Sequence, residues 1–349
     1  MCETTPDAML LACTMGGTLV RVISASRRTD IPALYAPWFM NRVRDGYCHW
    51  VNPFGGQVYR VSLLPEDVVA IVFWTRHSAP LHRHLAELEE RGLTSYFHFT
   101  ITGYPRWLEP QAPKLESALE SFRELSGRLG PSRVIWRYDP IILSDRTPAV
   151  YHRERFAALA ARLRGLTTSC YFSFATFYGK TQRNLGKAAQ AEGATIVQPS
   201  PNGTGLLASE LAVVAASNGM TLKVCSCDDL VGGGVERGSC IDREILQELR
   251  SEDLDLSGMK ASPTREDCGC CEATDIGAFD TCTFGCSYCY ANTSHRAAVD
   301  RRGRHDPEDT LLWRPSTLTG VDLNSIAREQ AEPKSRIEPR GLFGGDVGR

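Results

Sequence analysis

The uneven distribution of cysteine constrains this chain more than any other feature of its sequence. Nine of its 13 cysteines lie between Cys225 and Cys289. The four that precede this region are Cys2, Cys13, Cys48 and Cys170. A secreted disulfide scaffold is short and carries cysteine throughout, whereas dense local cysteine in a chain of 349 residues indicates metal ligation. The last third of the chain is therefore predicted to hold a cysteine-ligated metal site.

Composition narrows the class of protein. Hydrophobic residues make up 42% of the chain and charged residues 23%, which is ordinary for a globular protein. The net charge of −2 does not indicate a protein that binds nucleic acid mainly through the phosphate backbone, although local basic patches leave that partner open. The length suits one large domain of α/β barrel size with a tail, or two ordinary domains.

The amino-terminal segment lacks the composition of an export signal. Met9–Cys13 resembles the end of a lipoprotein signal, but Glu3 and Asp7 precede it without any Lys or Arg, and the apolar run is too short. No apolar run approaches the roughly 20 residues of a transmembrane helix. We therefore expect a cytoplasmic protein without a membrane partner, in a compartment where thiols stay reduced.

Short apolar runs alternate with segments of helical periodicity over the first 250 residues. The predicted strands are Val20–Ser26, Val68–Trp74, Tyr96–Thr102, Val134–Asp139, Cys170–Ala175 and Thr221–Cys225. The predicted helices are Ala33–Val43, His82–Glu90, Leu115–Leu129, His152–Leu163, Lys180–Ala191, Leu206–Ala216 and Arg243–Leu249. This alternation is typical of βαβ units and a parallel sheet. Six such units predict an α/β fold of the partial (β/α) barrel type.

The pattern also predicts how the chain is organised. Residues 1–19 form an extension, 20–250 the α/β partial barrel, 251–295 a Cys-rich cluster-binding segment, and 296–349 a tail. Within the tail, Lys334–Arg349 has little to bury and is expected to be disordered. Ala194–Val197 is a candidate additional strand, and Val58–Leu63 a short strand or hairpin arm.

The densest cysteine motif has the spacing C-x3-C-x2-C. It comprises Cys282, Cys286 and Cys289, with the aromatic Tyr288 directly before the last cysteine. Three thiolates on one tight loop can hold three corners of a cubane cluster and leave the fourth iron open to a ligand. Gly285 allows the loop to fold closely around such a cluster. A zinc knuckle that uses one further cysteine is the alternative interpretation.

This motif resembles the signature of radical S-adenosylmethionine (SAM) enzymes. The resemblance implies a [4Fe–4S] cluster whose open iron chelates SAM, with Tyr288 among the cofactor-binding residues. It also implies a reductant such as flavodoxin or ferredoxin, and a TIM-type partial barrel. In that superfamily the cysteine loop normally follows the first strand, whereas here it comes after the last predicted strand.

Most of the chain also resembles a bacterial family, the domain of unknown function 1848 family. The matching stretches are Ile23–Pro32, Val72–Thr75, Arg133–Ile141, Ser239–Asp242 and Cys268–Asn292. The resemblance spans residues 20 to 295 and implies a shared fold and site. It supplies no substrate.

The remaining clustered cysteines form a second group. The family resemblance implies that its important members are Cys225, Cys240, Cys268 and Cys270. Those four could bind either a second iron–sulfur cluster or a structural zinc ion. The two other members, Cys227 and Cys271, would then be spare thiols.

Charged residues at predicted strand ends are the candidate catalytic positions, because the carboxyl ends of barrel strands carry the active site. These residues are Arg27, Arg28, Asp30, Arg137 and Asp139. They could hold SAM or substrate, and they could equally form buried Arg–Asp ion pairs. For Asp275, a solvated loop position is favoured over a role in supporting the cysteine loop.

The leading hypothesis is thus an iron–sulfur enzyme that cleaves SAM reductively to modify a small-molecule or macromolecular substrate. The sequence leaves two alternatives open. One is an iron–sulfur electron-transfer protein without SAM chemistry. The other is a zinc-stabilised module that binds nucleic acid or protein.

Overall fold

The structure, a computed structural model, describes residues 21–177, 179–198, 200–250, 254–262, 268–329 and 338–339. Its strands are β1 (Arg21–Ala25), β2 (Tyr47–Val51), β3 (Val58–Ser62), β4 (Val68–Thr75), β5 (Ser95–Thr100), β6 (Val134–Ile141), β7 (Ser169–Phe174), β8 (Thr221–Val224), β9 (Val235–Arg237), β10 (Leu254–Asp255), β11 (Ala273–Asp275), β12 (Arg328–Glu329) and β13 (Glu338–Pro339). Its helices are α1 (Ile31–Leu34), α2 (Ala36–Asp45), α3 (Ala79–His82), α4 (Leu85–Glu90), α5 (Leu115–Leu129), α6 (Ala149–Leu163), α7 (Gly179–Glu192), α8 (Pro201–Ser217), α9 (Arg243–Leu249), α10 (His295–Gly303) and α11 (Leu323–Ile326). Among these, no helix is both long and apolar enough to span a bilayer.

The largest element is an eight-stranded sheet in the order β11-β1-β4-β5-β6-β7-β8-β9. Every neighbouring pair in it is parallel, so all the carboxyl ends lie along one edge. The predicted α/β fold with a parallel sheet is confirmed. In the described part of the chain no pairing joins β11 to β9, so the sheet is not closed into a barrel.

Side chains alternate along each strand, so the two faces of the sheet pack against different parts of the chain. On β5, Phe97 and Phe99 belong to the large core beneath α2, α5, α6 and α8. Tyr96 and His98 point the other way, where Tyr96 packs in a second core with Ile241, Leu246, Leu256 and Met259. Helices α2, α5, α6 and α8 therefore cover one face, and the chain after β9, which includes α9, covers the other.

All six predicted strands are present, and Val58–Leu63 is confirmed as a hairpin arm, since β3 pairs with β2 in antiparallel fashion. Ala194–Val197 is not a strand: only Ile196 makes an isolated bridge, to Ser144. The predicted helix Ala33–Val43 is interrupted at Tyr35, because Pro37 begins a new helix there. His82–Glu90 is likewise divided between α3 and α4.

The sheet has two strands that the sequence pattern did not predict, β9 and β11. Each is three residues long, too short to show periodicity. The second of them, β11, pairs in register with β1, which places Asp275 beside Ser24. The chain after residue 250 therefore returns to the main sheet. Of the predicted disordered segment Lys334–Arg349, all but Glu338–Pro339 lies outside the described residues, as does the extension 1–19.

Candidate functional site

A cavity of about 290 Å³ lies at the carboxyl edge of the parallel sheet. Its wall includes residues of β6 and the segments that follow β1, β4, β7, β8 and β9. All five predicted catalytic residues line it, as do all seven cysteines predicted to bind metal, together with Tyr288. Residues spread from position 27 to 289 therefore share one space, as the barrel-type interpretation requires.

The C-x3-C-x2-C loop enters this cavity directly after β11. Two backbone hydrogen bonds attach it to the segment that follows β5, from Ser287 N to Leu108 O (2.9 Å) and from Gln111 N to Phe284 O (3.1 Å). Gly285 has a φ of 68°, and a Cβ there would lie 3.0 Å from the ring of His295. The glycine is therefore required both by the backbone conformation and by the close packing of the loop.

Hydrogen bonds from polar side chains connect the two ends of the same loop. The side-chain amide of Asn292 donates a 2.6 Å hydrogen bond to the carbonyl of Cys282. The carboxylate of Asp280 accepts from the backbone N–H and from the hydroxyl of Thr293. Burial raises the pKa of the Cys286 thiol to about 12, so a bound cation is needed for it to serve as a thiolate.

The phenol of Tyr288 joins the loop to a buried ion pair. Arg76 and Glu109 lie 3.0 Å apart, with side chains 13% and 5% exposed. The Tyr288 hydroxyl donates to Glu109 and accepts a 2.5 Å hydrogen bond from Arg76. The predicted cofactor-binding aromatic thus also anchors the loop to the ends of β4 and β5.

The second cysteine group lies on a different part of the cavity wall. Cys225 follows β8 directly, Cys240 follows β9, and Cys270 lies in the segment that covers the sheet. Their three sulfurs all lie within 4.8 Å of one another. Cys268 lines the cavity but is not part of this close group. No comparably close trio is formed by Cys282, Cys286 and Cys289, which the structure also describes.

The backbone around Cys240 is held by side chains from the sheet. Its carbonyl accepts hydrogen bonds from the Tyr96 hydroxyl (2.9 Å) and from His98 Nε2 (2.7 Å). His98 is fully buried and stacks on Trp74. At Gly238 a Cβ would approach the ring of Tyr171 to 2.6 Å, so this turn packs against the sheet without room for a side chain.

Arg137 connects the second cysteine group to the strand-end carboxylates. Its guanidinium pairs with Asp139 at 2.6 Å and donates to the sulfur of Cys240 at 3.2 Å. Ser173 donates to the other carboxylate oxygen of Asp139. Hydrogen bonds from Cys225 and Cys270, and then the charge of Arg137, lower the pKa of Cys240 well below its ordinary value. Cavity lining and ion pairing therefore coexist at Arg137.

Asp30 makes structural hydrogen bonds at the cavity wall. It caps α1 by accepting from Ala33 N (3.0 Å), and it also accepts from the Thr75 hydroxyl (2.8 Å) and from Arg76 N (2.6 Å). Burial raises its pKa to about 6. The carboxylate thus ties the end of β1 to the end of β4.

The interpretation of Asp275 as a solvated loop residue is wrong. It ends β11, and its carboxylate accepts from the hydroxyls of Ser24 (2.9 Å) and Ser26 (2.7 Å) and from Arg27 N (2.9 Å). Arg28 lies 3.9 Å from the same carboxylate. The residue therefore holds the segment after β1, which carries two of the predicted catalytic arginines, against the strand that leads into the cysteine loop.

Arg76 was recognised only as a polar residue at a strand end, and Glu109 was not singled out; neither was among the predicted catalytic residues. Arg76 directly follows β4, and this position at a strand end was a usable signal. Glu109 lies in a loop between Trp107 and Pro110, where nothing in the local pattern marks a buried acid. Only the fold brings it to Arg76 and Tyr288.

These observations define an α/β protein with a cysteine-rich cavity at the carboxyl edge of a parallel sheet. A family model described as "Domain of unknown function (DUF1848)" matches residues 22–291. The chain belongs to this family. No curated protein matches it by sequence.

Solved structures similar to this chain include a D-hydantoinase, with 10% identity and a TM-score of 0.29 over 62% of this chain and 43% of that one. A D-hydantoinase from Bacillus sp. AR9 has 16% identity and a TM-score of 0.27 over 63% and 46%. A dihydropyrimidinase from Brevibacillus agri NCHU1002 has 16% identity and a TM-score of 0.27 over 63% and 45%. The chain thus spans less than half the length of each, and these TM-scores are too low to support an inference.

Proposed function

We propose that this protein is an iron–sulfur enzyme of the radical SAM type, with a [4Fe–4S] cluster held by Cys282, Cys286 and Cys289. The observation that carries the proposal is the position of these three cysteines: they share one tight loop and line the cavity beside the strand-end arginines. A cubane spreads its thiolates over different iron atoms. Three cysteines on one loop can each supply one of these thiolates.

The unusual position of the motif in the sequence is not an obstacle in space. The loop follows β11, and β11 is the strand at one end of the sheet, next to β1. The resemblance implies a cysteine loop after the first strand, and here the loop follows the strand that pairs with the first strand in the sheet.

The donor set fits the cluster, because three cysteines on a glycine-containing loop leave one iron for an exchangeable ligand. When bound, the cluster and SAM would supply an electron and a 5′-deoxyadenosyl radical. The protein itself would position SAM and the substrate and would shield them from solvent. Arg27 and Arg28 offer guanidinium donors for a carboxylate, and Asp139 offers an acceptor for a ribose hydroxyl.

Water exclusion is the second contribution of the chain. The aromatic side chains of Trp74, Phe172 and Phe174 line the cavity together with the cysteine loop. An apolar wall of this kind keeps solvent from a reactive intermediate. The Arg76–Glu109–Tyr288 contacts fix the loop over this wall, so that the donor cysteines keep their positions.

The test is anaerobic purification of the whole chain, followed by iron, sulfide and zinc quantification with an ultraviolet–visible spectrum. The proposal predicts a brown protein with about four iron atoms per loop cluster. Addition of SAM and dithionite, or of reduced flavodoxin or ferredoxin, should then yield 5′-deoxyadenosine.

Each alternative has its own outcome in the same experiment. Iron and sulfide with reversible one-electron cycling but no 5′-deoxyadenosine would indicate electron transfer alone. Zinc without iron, even after reconstitution, would indicate a zinc-stabilised binding module. Either result would overturn the proposal.

A further inference from the structure

The close cysteine group at the ends of β8 and β9 has the spacing of ligands to one ion. Sulfurs bound to a single tetrahedral zinc at 2.3 Å lie about 3.8 Å apart. The sulfurs of Cys225, Cys240 and Cys270 all fall within 4.8 Å of one another. A cubane would hold them further apart, because each sulfur would cap a different iron. The geometry of this group is therefore that of a mononuclear site.

The surrounding charges suit an anionic metal–thiolate centre. Three thiolates and one divalent cation carry a net charge of −1. Arg137 donates to the sulfur of Cys240 at 3.2 Å. Arg27 lines the same cavity, and its Nη2 is buried without a hydrogen-bond partner among the described residues. A buried guanidinium N–H left unpaired is costly unless an anionic group faces it.

The geometry points to a second metal site, in which Cys225, Cys240 and Cys270 bind one Zn²⁺ whose fourth position opens into the cavity. Thiolates are soft donors that suit zinc, and zinc binds such donor sets more tightly than ferrous iron does. Cys268 lines the cavity but lies outside the group whose sulfurs are all within 4.8 Å of one another, so three thiols form the close donor set. A zinc with three protein ligands keeps a position for water or a substrate group.

This site would lie in the same cavity as the loop cysteines, so a substrate group held on zinc could face the proposed cluster. The inference does not depend on the proposed function, because zinc at Cys240 requires no iron at Cys282. It adds an exchangeable zinc ligand, water or an anionic substrate atom, to a cavity otherwise lined by fixed protein groups.

The experiment measures zinc and iron per chain by mass spectrometry in the full-length protein. The wild type is predicted to hold about one zinc after dialysis against a weak chelator, and Cys240→Ala and Cys270→Ala to lose most of it. Cys268→Ala should retain it, as should the matched control Cys227→Ala. Loss of zinc from Cys268→Ala would show a closed four-cysteine site and overturn the open position.

A second measurement avoids the risk that a variant fails to fold. Zinc X-ray absorption of the wild-type protein should give three sulfurs near about 2.3 Å and one oxygen or nitrogen. Four sulfurs, or iron in place of zinc at this group, would contradict the proposal. The triple variant Cys282→Ala/Cys286→Ala/Cys289→Ala separates the two sites: it should lose iron and keep zinc. If the loop cysteines bind no iron, the zinc measurement would still test the second metal site.

Discussion

Ser24 and Asp275 face each other in register on neighbouring parallel strands, and the Ser24 hydroxyl donates a 2.9 Å hydrogen bond to the Asp275 carboxylate. They are 251 positions apart in the chain. This contact places the strand that leads into the C-x3-C-x2-C loop beside the first strand of the domain. The loop cysteines therefore reach the same cavity as Arg27 and Arg28.

Asp275→Ala is expected to lower the free energy of unfolding by about 3 kcal/mol, because the carboxylate accepts several buried hydrogen bonds and lies beside Arg28. Denaturant unfolding measures the change. Asp300→Ala, on an exposed face of α10, is the control and should change stability by less than about 0.5 kcal/mol. Equal effects of the two substitutions would refute the role given to Asp275.

Removal of the hydroxyl in Tyr288→Phe should cost about 1–2 kcal/mol, since it deletes hydrogen bonds to a buried ion pair. Glu109→Gln should cost more, about 3 kcal/mol, because it leaves Arg76 buried without its counter-charge. Thermal unfolding with and without reconstituted iron measures both. Tyr59→Phe is the matched control, since Tyr59 lies on β3, outside the cavity and the main sheet. A Glu109→Gln protein as stable as wild type would contradict this account.

Gly238→Ala should destabilise the protein by about 1–3 kcal/mol, because the new methyl group would overlap the ring of Tyr171. The turn carries Cys240, so zinc retention should fall as well. Gly186→Ala, within α7 and with open space at its Cβ, should instead raise stability by about 0.5–1 kcal/mol. The account fails here if both substitutions shift the denaturation midpoint in the same direction.

The buried His152 should make the free energy of unfolding depend on pH. Burial lowers its pKa to about 4, and its ring bonds the Tyr138 hydroxyl and the Ile142 carbonyl. The unfolded chain takes up this proton at a higher pH than the folded one. The stability linked to His152 is thus complete above about pH 6.5 and is lost towards pH 4, by about 3 kcal/mol. His152→Gln should flatten the slope of unfolding free energy across this range, and an unchanged slope would count against it.

Much of the fold could be predicted because its central strands are apolar on both faces. The run Val68–Thr75 contains seven buried residues out of eight, and such runs are distinctive in sequence. Helix α5 begins and ends where its periodicity predicted. The strands β9 and β11 were missed because three residues show no alternation. Their place in the sheet depends on partners such as Ser24, far away in the chain.

The sequence predicted which residue types form the candidate site, but it did not predict which of the cysteines lie close together. Spacing within one loop marked Cys282, Cys286 and Cys289. Family resemblance marked Cys225, Cys240, Cys268 and Cys270, but only the fold separates the close trio from Cys268. The buried Glu109 had no local signal, because its importance comes from Arg76 and Tyr288.

Electron paramagnetic resonance of the reduced, reconstituted protein tests the central claim most directly. If Cys282, Cys286 and Cys289 leave one iron open, addition of SAM should change the spectrum of the reduced cluster, because SAM becomes a ligand to that iron. The account predicts this change in the wild type and its absence in Cys286→Ala. A strong cluster signal in the wild type that SAM leaves unaltered would contradict it.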